Sequence, residues 1–213
     1  MSRILDLLLP APCSVCGRLP SVLCATCAAS FAMEAFEFER GGVPGFAAVE
    51  YDSACSALFA SVKERGQTSV WLRLDAQVGA LAARLASTWP DAALLCVPSS
   101  KAAMARRGLN PALQLCKRVA RAARLPVVGG LRLERQPQDQ AALSQQERAA
   151  NLRDSMRFEP PRAFRRPLII FDDVVTTGAT LLEARRAVQA ADSTLRVAGF
   201  CVFAETLRKW PPQ

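Results

Sequence analysis

The chain has 213 residues, with 27 Lys and Arg against 19 Asp and Glu and a formal net charge of +8. This length predicts one main domain with a small addition, and the positive charge favours an acidic partner. The sequence contains no histidine, which excludes His-based triads, His metal ligands and imidazole bases.

The start of the chain is a poor signal peptide, because Asp6 interrupts a short apolar run. No segment approaches the ~18 consecutive apolar residues of a membrane span. We therefore expect a cytoplasmic protein without membrane insertion. The cytosol keeps thiols reduced, so the eight cysteines are expected to be free thiols or metal ligands.

Two Cys-x-x-Cys pairs follow, Cys13 with Cys16 and Cys24 with Cys27, and Gly17 permits a tight turn. Four thiolates in tetrahedral geometry suit Zn²⁺, and a filled coordination sphere makes such a site structural. A redox pair and buried apolar cysteines are the alternatives, but the closeness of the two pairs favours zinc. The remaining cysteines have apolar neighbours and are expected in the core: Cys55, Cys96, Cys116 and Cys201.

The run Gly41-Gly42-Val43-Pro44-Gly45 predicts a linker or turn. We place a boundary there, between a zinc-binding module at 1–42 and a main domain at 43–213.

The main domain alternates apolar runs of strand character with helical periodicity. We predict strands at 47–51, 94–98, 166–171 and 195–203, an extended stretch from 126, and helices at 53–63, 69–87, 110–124 and from 181. This alternation predicts an α/β fold with a mostly parallel sheet.

The helix from Asn110 has a strong start, with Asn as N-cap and Pro111 at the first helical position. We expect Leu113, Cys116 and Ala120 to face inward, and Lys117, Arg121 and Arg124 to share another face. Polar residues at 136–151 predict a mobile loop that leads into a short helix.

The segment from Leu168 to Thr180 carries most of the functional information. An apolar run, Leu168-Ile169-Ile170-Phe171, reads as a buried parallel strand that ends at Asp172 and Asp173. A turn at Thr176–Thr180 then precedes a helix, so backbone N–H groups, hydroxyls and the helix dipole can form a cup for a terminal phosphate. Gly178 permits a positive φ in this turn. The two carboxylates can accept hydrogen bonds from sugar hydroxyls and attract Mg²⁺. The alternative is an ordinary strand–turn–helix with a solvated Asp pair.

This segment matches the 5-phosphoribosyl-1-diphosphate (PRPP) loop of type I phosphoribosyltransferases. With the front cysteines, the Val97-Pro98 strand end and Arg107-Gly108-Leu109-Asn110, the chain resembles the ComF/GntX family of bacterial phosphoribosyltransferase-like proteins, tied to competence and DNA uptake. The resemblance covers nearly the whole chain. It implies a type I phosphoribosyltransferase fold, with a central mostly parallel sheet flanked by helices and a small N-terminal zinc module of four cysteines.

Two departures from the family pattern lie near the implied site. The family usually has Val-Pro-Val-Pro where this chain has Val97-Pro98-Ser99-Ser100, whose hydroxyls can still donate hydrogen bonds. It usually has Arg-Gly-Phe-Asn-Gln where this chain has Arg107-Gly108-Leu109-Asn110-Pro111, which removes an aromatic ring and an amide.

The resemblance also implies roles for individual residues. Asp172 and Asp173 would hold the ribose hydroxyls, directly or through Mg²⁺. The 5-phosphate would lie on Thr176, Thr177, Gly178, Ala179 and Thr180, and the pyrophosphate near Ser99, Ser100, Lys101, Arg106 and Arg107. A loop with Arg135, Gln140 and Arg148 would close over the site while a nucleophile displaces pyrophosphate from C1. Each basic residue has an alternative interpretation as part of a solvated face.

Two other functions stay open. The first is a single-stranded-DNA-binding competence adaptor that uses Lys117, Arg121 and Arg124 and contacts other competence proteins. The second is a PRPP sensor without catalysis. A homodimer would be ordinary for such a fold.

Overall fold

The computed structural model describes residues 11–31, 34–100, 104–105, 108, 110–135 and 152–206. In chain order the elements are α1 (Ala25–Ala29), β1 (Phe36–Arg40), β2 (Val43–Glu50), α2 (Ser53–Arg65), a 3-10 segment (Thr68–Arg73), α3 (Asp75–Thr88), β3 (Ala93–Cys96), α4 (Pro111–Ala123), β4 (Val127–Val128), β5 (Leu131–Leu133), β6 (Met156–Phe158), β7 (Leu168–Val175), α5 (Ala179–Ala191) and β8 (Val197–Glu205).

Six of the strands form one sheet in the order β1-β2-β8-β7-β3-β4. The edge pair β1–β2 is antiparallel, and the other four pairs are parallel. Strands β5 and β6 form a separate antiparallel pair. The predicted class, an α/β fold with a mostly parallel sheet flanked by helices, is confirmed.

Both faces of the sheet are buried, and β7 shows why its sequence is a continuous apolar run. Ile169 and Phe171 belong to the apolar cluster on one face, and Leu168 and Ile170 belong to the cluster on the other. Helices α2, α3 and α4 contribute to the first cluster, whereas α5 and β6 contribute to the second. A strand covered on two sides cannot alternate with polar residues, so the apolar run is what this position requires.

The cysteine segment packs against the main core. Cys13, Cys27 and Phe31 belong to the same apolar cluster as the helices of the first face. The Gln77 side chain donates from Nε2 to the Phe31 carbonyl at 2.6 Å, and Ser14 Oγ donates to Gln67 Oε1 at 3.2 Å. Strand β1, which precedes residue 42, forms the edge of the large sheet.

Helix α4 confirms the predicted start. Asn110 Oδ1 accepts from the Leu113 N–H at 3.1 Å, and Arg124 ends the helix in the left-handed region at φ 58°. Its inward side differs in one position from the prediction, because Leu113 is only half-buried while Leu115 is fully buried.

Three elements differ from the sequence-based expectation. The helix predicted at 69–87 is two pieces, a 3-10 segment and α3, which meet at Leu74. Val70 and Leu74 are both fully buried, so the apolar periodicity continues across the break. Strand β2 begins at Val43 because Gly41 and Gly42, at φ 57° and 73°, make a hairpin turn. Strand β7 continues past the carboxylates to Val175.

Several predicted features lie outside the described residues: Lys101, Arg106, Arg107, Gln140, Arg148 and the loop at 136–151. Within the described ranges, no helix has both the length and the apolar character that crossing a bilayer requires.

Candidate functional site

Four cysteines near the N-terminus form a cluster that can bind a metal. The Sγ atoms of Cys13, Cys16, Cys24 and Cys27 all lie within 4.8 Å of one another, and those of Cys16 and Cys24 are 3.8 Å apart. Four thiolates about 2.3 Å from a tetrahedral Zn²⁺ would be separated by about 3.8 Å. The cluster therefore fits the predicted four-cysteine site in both donor type and spacing.

Local backbone geometry creates this cluster. Gly17 has φ 74°, and its N–H donates to the Cys13 carbonyl at 2.9 Å, which closes the first turn. The Cys24 N–H donates to Cys13 Sγ at 3.4 Å. A backbone hydrogen bond from Arg18 lowers the pKa of Cys16 to about 6. N–H groups aimed at sulfur favour the thiolate, which is the form that ligates a metal.

The other four cysteines lie in the body of the domain. Cys55, Cys116 and Cys201 are buried and Cys96 is half-buried, and no disulfide joins any of the eight cysteines. Burial raises the pKa of Cys55 to about 12. These positions match the prediction that the isolated cysteines pack in the core.

A second group of functional residues collects at the carboxyl edge of the sheet. Because β2, β8, β7 and β3 run parallel, their carboxyl ends meet at one edge. Asp172 and Asp173 lie there, and the turn to α5 follows them. Ligands of open α/β sheets bind at this edge.

The two carboxylates occupy different environments. Asp172 is only 9% exposed, and its Oδ1 accepts from the Asp173 N–H at 2.8 Å. Burial, together with the neighbouring charge of Asp173, raises the pKa of Asp172 well above its usual value. Asp173 is largely buried too, with 14% of its side chain exposed. The pair is thus a desolvated acidic site.

Lys63, on α2, forms an ion pair with Asp173. Its Nζ lies 2.8 Å from Asp173 Oδ2 and 5.3 Å from the centre of the Phe59 ring. Sequence reasoning missed this residue, since nothing in the local pattern of α2 marks it. Mg²⁺ prefers several free oxygen ligands in octahedral geometry. Asp172 Oδ1 and Asp173 Oδ2 already have partners within the chain, so Lys63 and the Asp173 N–H compete with a metal for this pair.

The loop after β7 has the backbone that its sequence predicts. Gly178 lies in the left-handed region at φ 83° and is the N-cap of α5. The Ala179 N–H donates to Thr177 Oγ1 at 3.2 Å. The loop and Asp172 line a cavity of about 30 Å³, which is room for about one water-sized group. The first turn of α5 directs its N–H groups and its positive dipole end toward the loop.

An arginine from the sheet edge braces this loop. A Cβ added to Gly178 would come within 2.9 Å of Arg40 Cγ, so the absence of a side chain at Gly178 leaves room for the Arg40 side chain. Arg40 Nη2 lies 2.5 Å from Glu205 Oε1, and the side chains are 18% and 5% exposed. Burial raises the pKa of Glu205, and Arg40 opposes that rise. Glu205 Oε2 and Thr206 Oγ1 are buried without a hydrogen-bond partner in the described part of the chain.

Other predicted site residues have distinct locations. Ser99 and Ser100 follow β3 and are half-buried, on the same sheet edge as the acidic pair because Cys96 is in register with Phe171. Arg135 lies beyond β5, where its Nη2 donates to the Arg153 carbonyl at 3.0 Å.

Two larger cavities lie away from the carboxyl edge. One of about 660 Å³ lies beside β6 and α5, and one of about 720 Å³ lies at the amino ends of β3 and β4. Neither is lined by the acidic pair or the loop. Donors and acceptors converge at the small cavity, which is therefore the candidate ligand site.

The comparison with known proteins leaves the chain without an assigned family. No protein-family model matches it, and no curated protein matches it significantly. The functional argument therefore depends on the site itself.

Proposed function

We propose that this chain is a PRPP-binding protein of the type I phosphoribosyltransferase class, related to the ComF/GntX proteins. The observation that supports it most is the conjunction at one sheet edge of an acidic pair, a left-handed glycine and a helix N-terminus. An ordinary strand–turn–helix needs none of these together. The type I phosphoribosyltransferase fold itself belongs to this proposal.

In the proposed complex, each part of the edge has one task. The N–H groups and hydroxyls of Thr176–Thr180 hold the 5-phosphate, because anions bind at helix N-termini. Asp172 and Asp173 accept hydrogen bonds from the ribose hydroxyls. The site then promotes transfer of the phosphoribosyl group to a nucleophile, because it positions C1 and stabilises the departing pyrophosphate. Without histidine in the chain, the acceptor's proton must go to a carboxylate, another side chain or the substrate itself.

The test is calorimetric titration of the metal-loaded protein with PRPP and Mg²⁺, compared with ribose 5-phosphate. We expect both ligands to bind and both to lose affinity in the double variant Asp172→Asn, Asp173→Asn. Asp91→Asn is the matched control, because Asp91 is exposed and lies at the opposite edge. Unchanged affinity in the double variant, or no binding to the natural chain, would refute the proposal.

We also propose that the cysteine cluster holds Zn²⁺ in a structural role. The 3.8 Å spacing of Cys16 and Cys24 sulfurs supports tetrahedral thiolate coordination. The packing of Cys13 and Cys27 in the main core would couple the metal to the stability of the whole domain.

A second candidate function is binding of single-stranded DNA. The observation in its favour is that Lys117 and Arg121 on α4, and Arg124 just after it, are all exposed. Phosphate contacts of this kind give binding that weakens steeply with salt. Reversal of these three charges should abolish salt-sensitive binding of an oligonucleotide. The control is reversal of Arg162, Arg165 and Arg166, which are exposed elsewhere; an equal loss there would show unspecific attraction only.

A further inference from the structure

The acidic pair already contains a cation. Lys63 Nζ is 2.8 Å from Asp173 Oδ2, and the Lys63 side chain is 38% exposed against 14% for Asp173. Charge-assisted bonds of this length are among the stronger ones in proteins, more so when one partner is largely desolvated. The ammonium is therefore part of the site and not a loose surface charge.

The position of Lys63 is fixed from two directions. Phe59 lies one helical turn before it on α2, is only 2% exposed, and has its ring centre 5.3 Å from Nζ. A cation over an aromatic face is attracted by the ring quadrupole. The core ring and the carboxylate together hold the ammonium where a divalent cation would otherwise neutralise the pair.

The remaining oxygens suit a neutral donor better than a metal. Asp172 Oδ1 is bonded to a backbone N–H, and Asp173 Oδ2 is bonded to Lys63. A divalent ion at the pair would have to displace or repel the ammonium. A sugar hydroxyl carries no net charge and can bond a carboxylate oxygen without displacing the ammonium.

We propose that Lys63 is the resident cation of the acidic pair, so that ribose hydroxyls are recognised there without a divalent metal. The proposal rests on the proposed function, because it assumes a phosphoribosyl ligand at this edge. Any Mg²⁺ that accompanies PRPP is then held by the diphosphate. Lys63 acts as a positioning residue, since it reaches the ligand through Asp173.

The main experiment titrates ribose 5-phosphate, which has no diphosphate, into metal-loaded protein. The buffer is freed of divalent ions by a resin, because a soluble chelator would attack the cysteine cluster. The natural chain should bind equally with and without Mg²⁺. Lys63→Met should lose about tenfold in affinity without Mg²⁺ and recover part of it with Mg²⁺. Lys63→Arg should retain metal-independent binding.

Arg65→Met is the matched control, since it removes a positive charge from an exposed site on the same helix, α2. It should behave like the natural chain. A natural chain that needs Mg²⁺ to bind ribose 5-phosphate would overturn the proposal, as would a Lys63→Met variant with unchanged binding.

A second arm separates failure of this inference from failure of the proposed function. Mn²⁺ is titrated without sugar and followed by electron paramagnetic resonance. Lys63→Met should bind Mn²⁺ about tenfold more tightly than the natural chain and Arg65→Met, because the competing ammonium is gone. Equal Mn²⁺ affinities would overturn the role of Lys63. Absence of any sugar-phosphate binding would refute the function, while this arm still decides the resident cation.

Discussion

The cysteine cluster and the carboxyl-edge site differ in how the chain builds them. All four sulfur ligands come from residues 13–27, within two short turns. The carboxyl edge instead combines Arg40 and Lys63 from early elements with Asp173 and Glu205 from late strands. A site built from neighbouring residues can be predicted from their spacing in the sequence. A site assembled from several strands and helices can be recognised only once the fold is known. The first also gathers thiols that could bind a metal, whereas the second contains cationic side chains of the chain itself, Arg40 and Lys63.

The largest expected effect tests the local site. Cys16 is exposed, so Cys16→Ser should cost within about 0.5 kcal/mol if the thiol has no ligand. If it holds a structural metal, the loss of ligation should cost several kcal/mol of unfolding free energy. Urea unfolding and zinc stoichiometry measure both quantities. Cys96→Ser is the control outside the cluster, and equal stability with unchanged metal content in Cys16→Ser would contradict the assignment.

The next effect tests the assembled site. Arg40→Met leaves Glu205 buried and unpaired, which should destabilise the fold by about 3 kcal/mol. The double variant Arg40→Met, Glu205→Gln should recover much of that loss, because no unpaired charge remains. A double-mutant cycle of urea unfolding gives the coupling. If the two single changes simply add, the pair does not join β1 to β8 energetically.

A smaller effect of opposite sign is expected at the acidic pair. Burial and the charge of Asp173 raise the pKa of Asp172, so the folded state binds that proton more tightly than the unfolded state. The resulting stability is complete at low pH and is lost as pH rises above the ordinary Asp value of 3.8.

Asp172→Asn should therefore stabilise the protein at neutral pH by on the order of 1–2 kcal/mol, while it loses ligand binding. Unfolding free energies of the two proteins measured from acid to neutral pH should diverge as pH rises. Parallel curves would show that Asp172 is not a desolvated carboxyl.

The smallest effect belongs to a network that serves neither site. Burial alone would raise the pKa of Glu183, but bonds from Arg186 and the Met156 N–H outweigh it and lower that pKa. Its stabilisation is thus present above the ordinary Glu value of 4.5 and is lost as pH falls through the lowered one.

Glu183→Gln should cost about 1 kcal/mol at neutral pH and should remove that part of the acid dependence. Unfolding measured across the acid range checks it. A loss that is independent of pH would point to packing alone, and unchanged ligand binding is expected throughout.

Local signals predicted the parts of the fold that depend on few residues. The N-cap at Asn110 and the positive φ of Gly178 both follow from turn and cap chemistry. The continuous apolar run of β7 also predicted a buried parallel strand, because a strand covered on both faces has no polar positions.

Other parts could not be predicted because their cause is tertiary. The sequence predicts a linker or turn at Gly41 and Gly42, but only pairing of β1 with β2 makes them a hairpin. Strands β5 and β6 have three residues each, too few for a period. Lys63 looks like any helical lysine until the sheet brings Asp173 to it.

The strand order has a consequence for how the molecule is made. The last strand in the described chain, β8, lies between β2 and β7 in the middle of the sheet. During synthesis, the edges of β2 and β7 that pair with β8 stay unpaired until residues 197–205 leave the ribosome. Such edges invite pairing with other chains. Ribosome-bound chains that stop short of β8 should therefore recruit chaperones. The chaperones should dissociate soon after Glu205 emerges and β8 can pair.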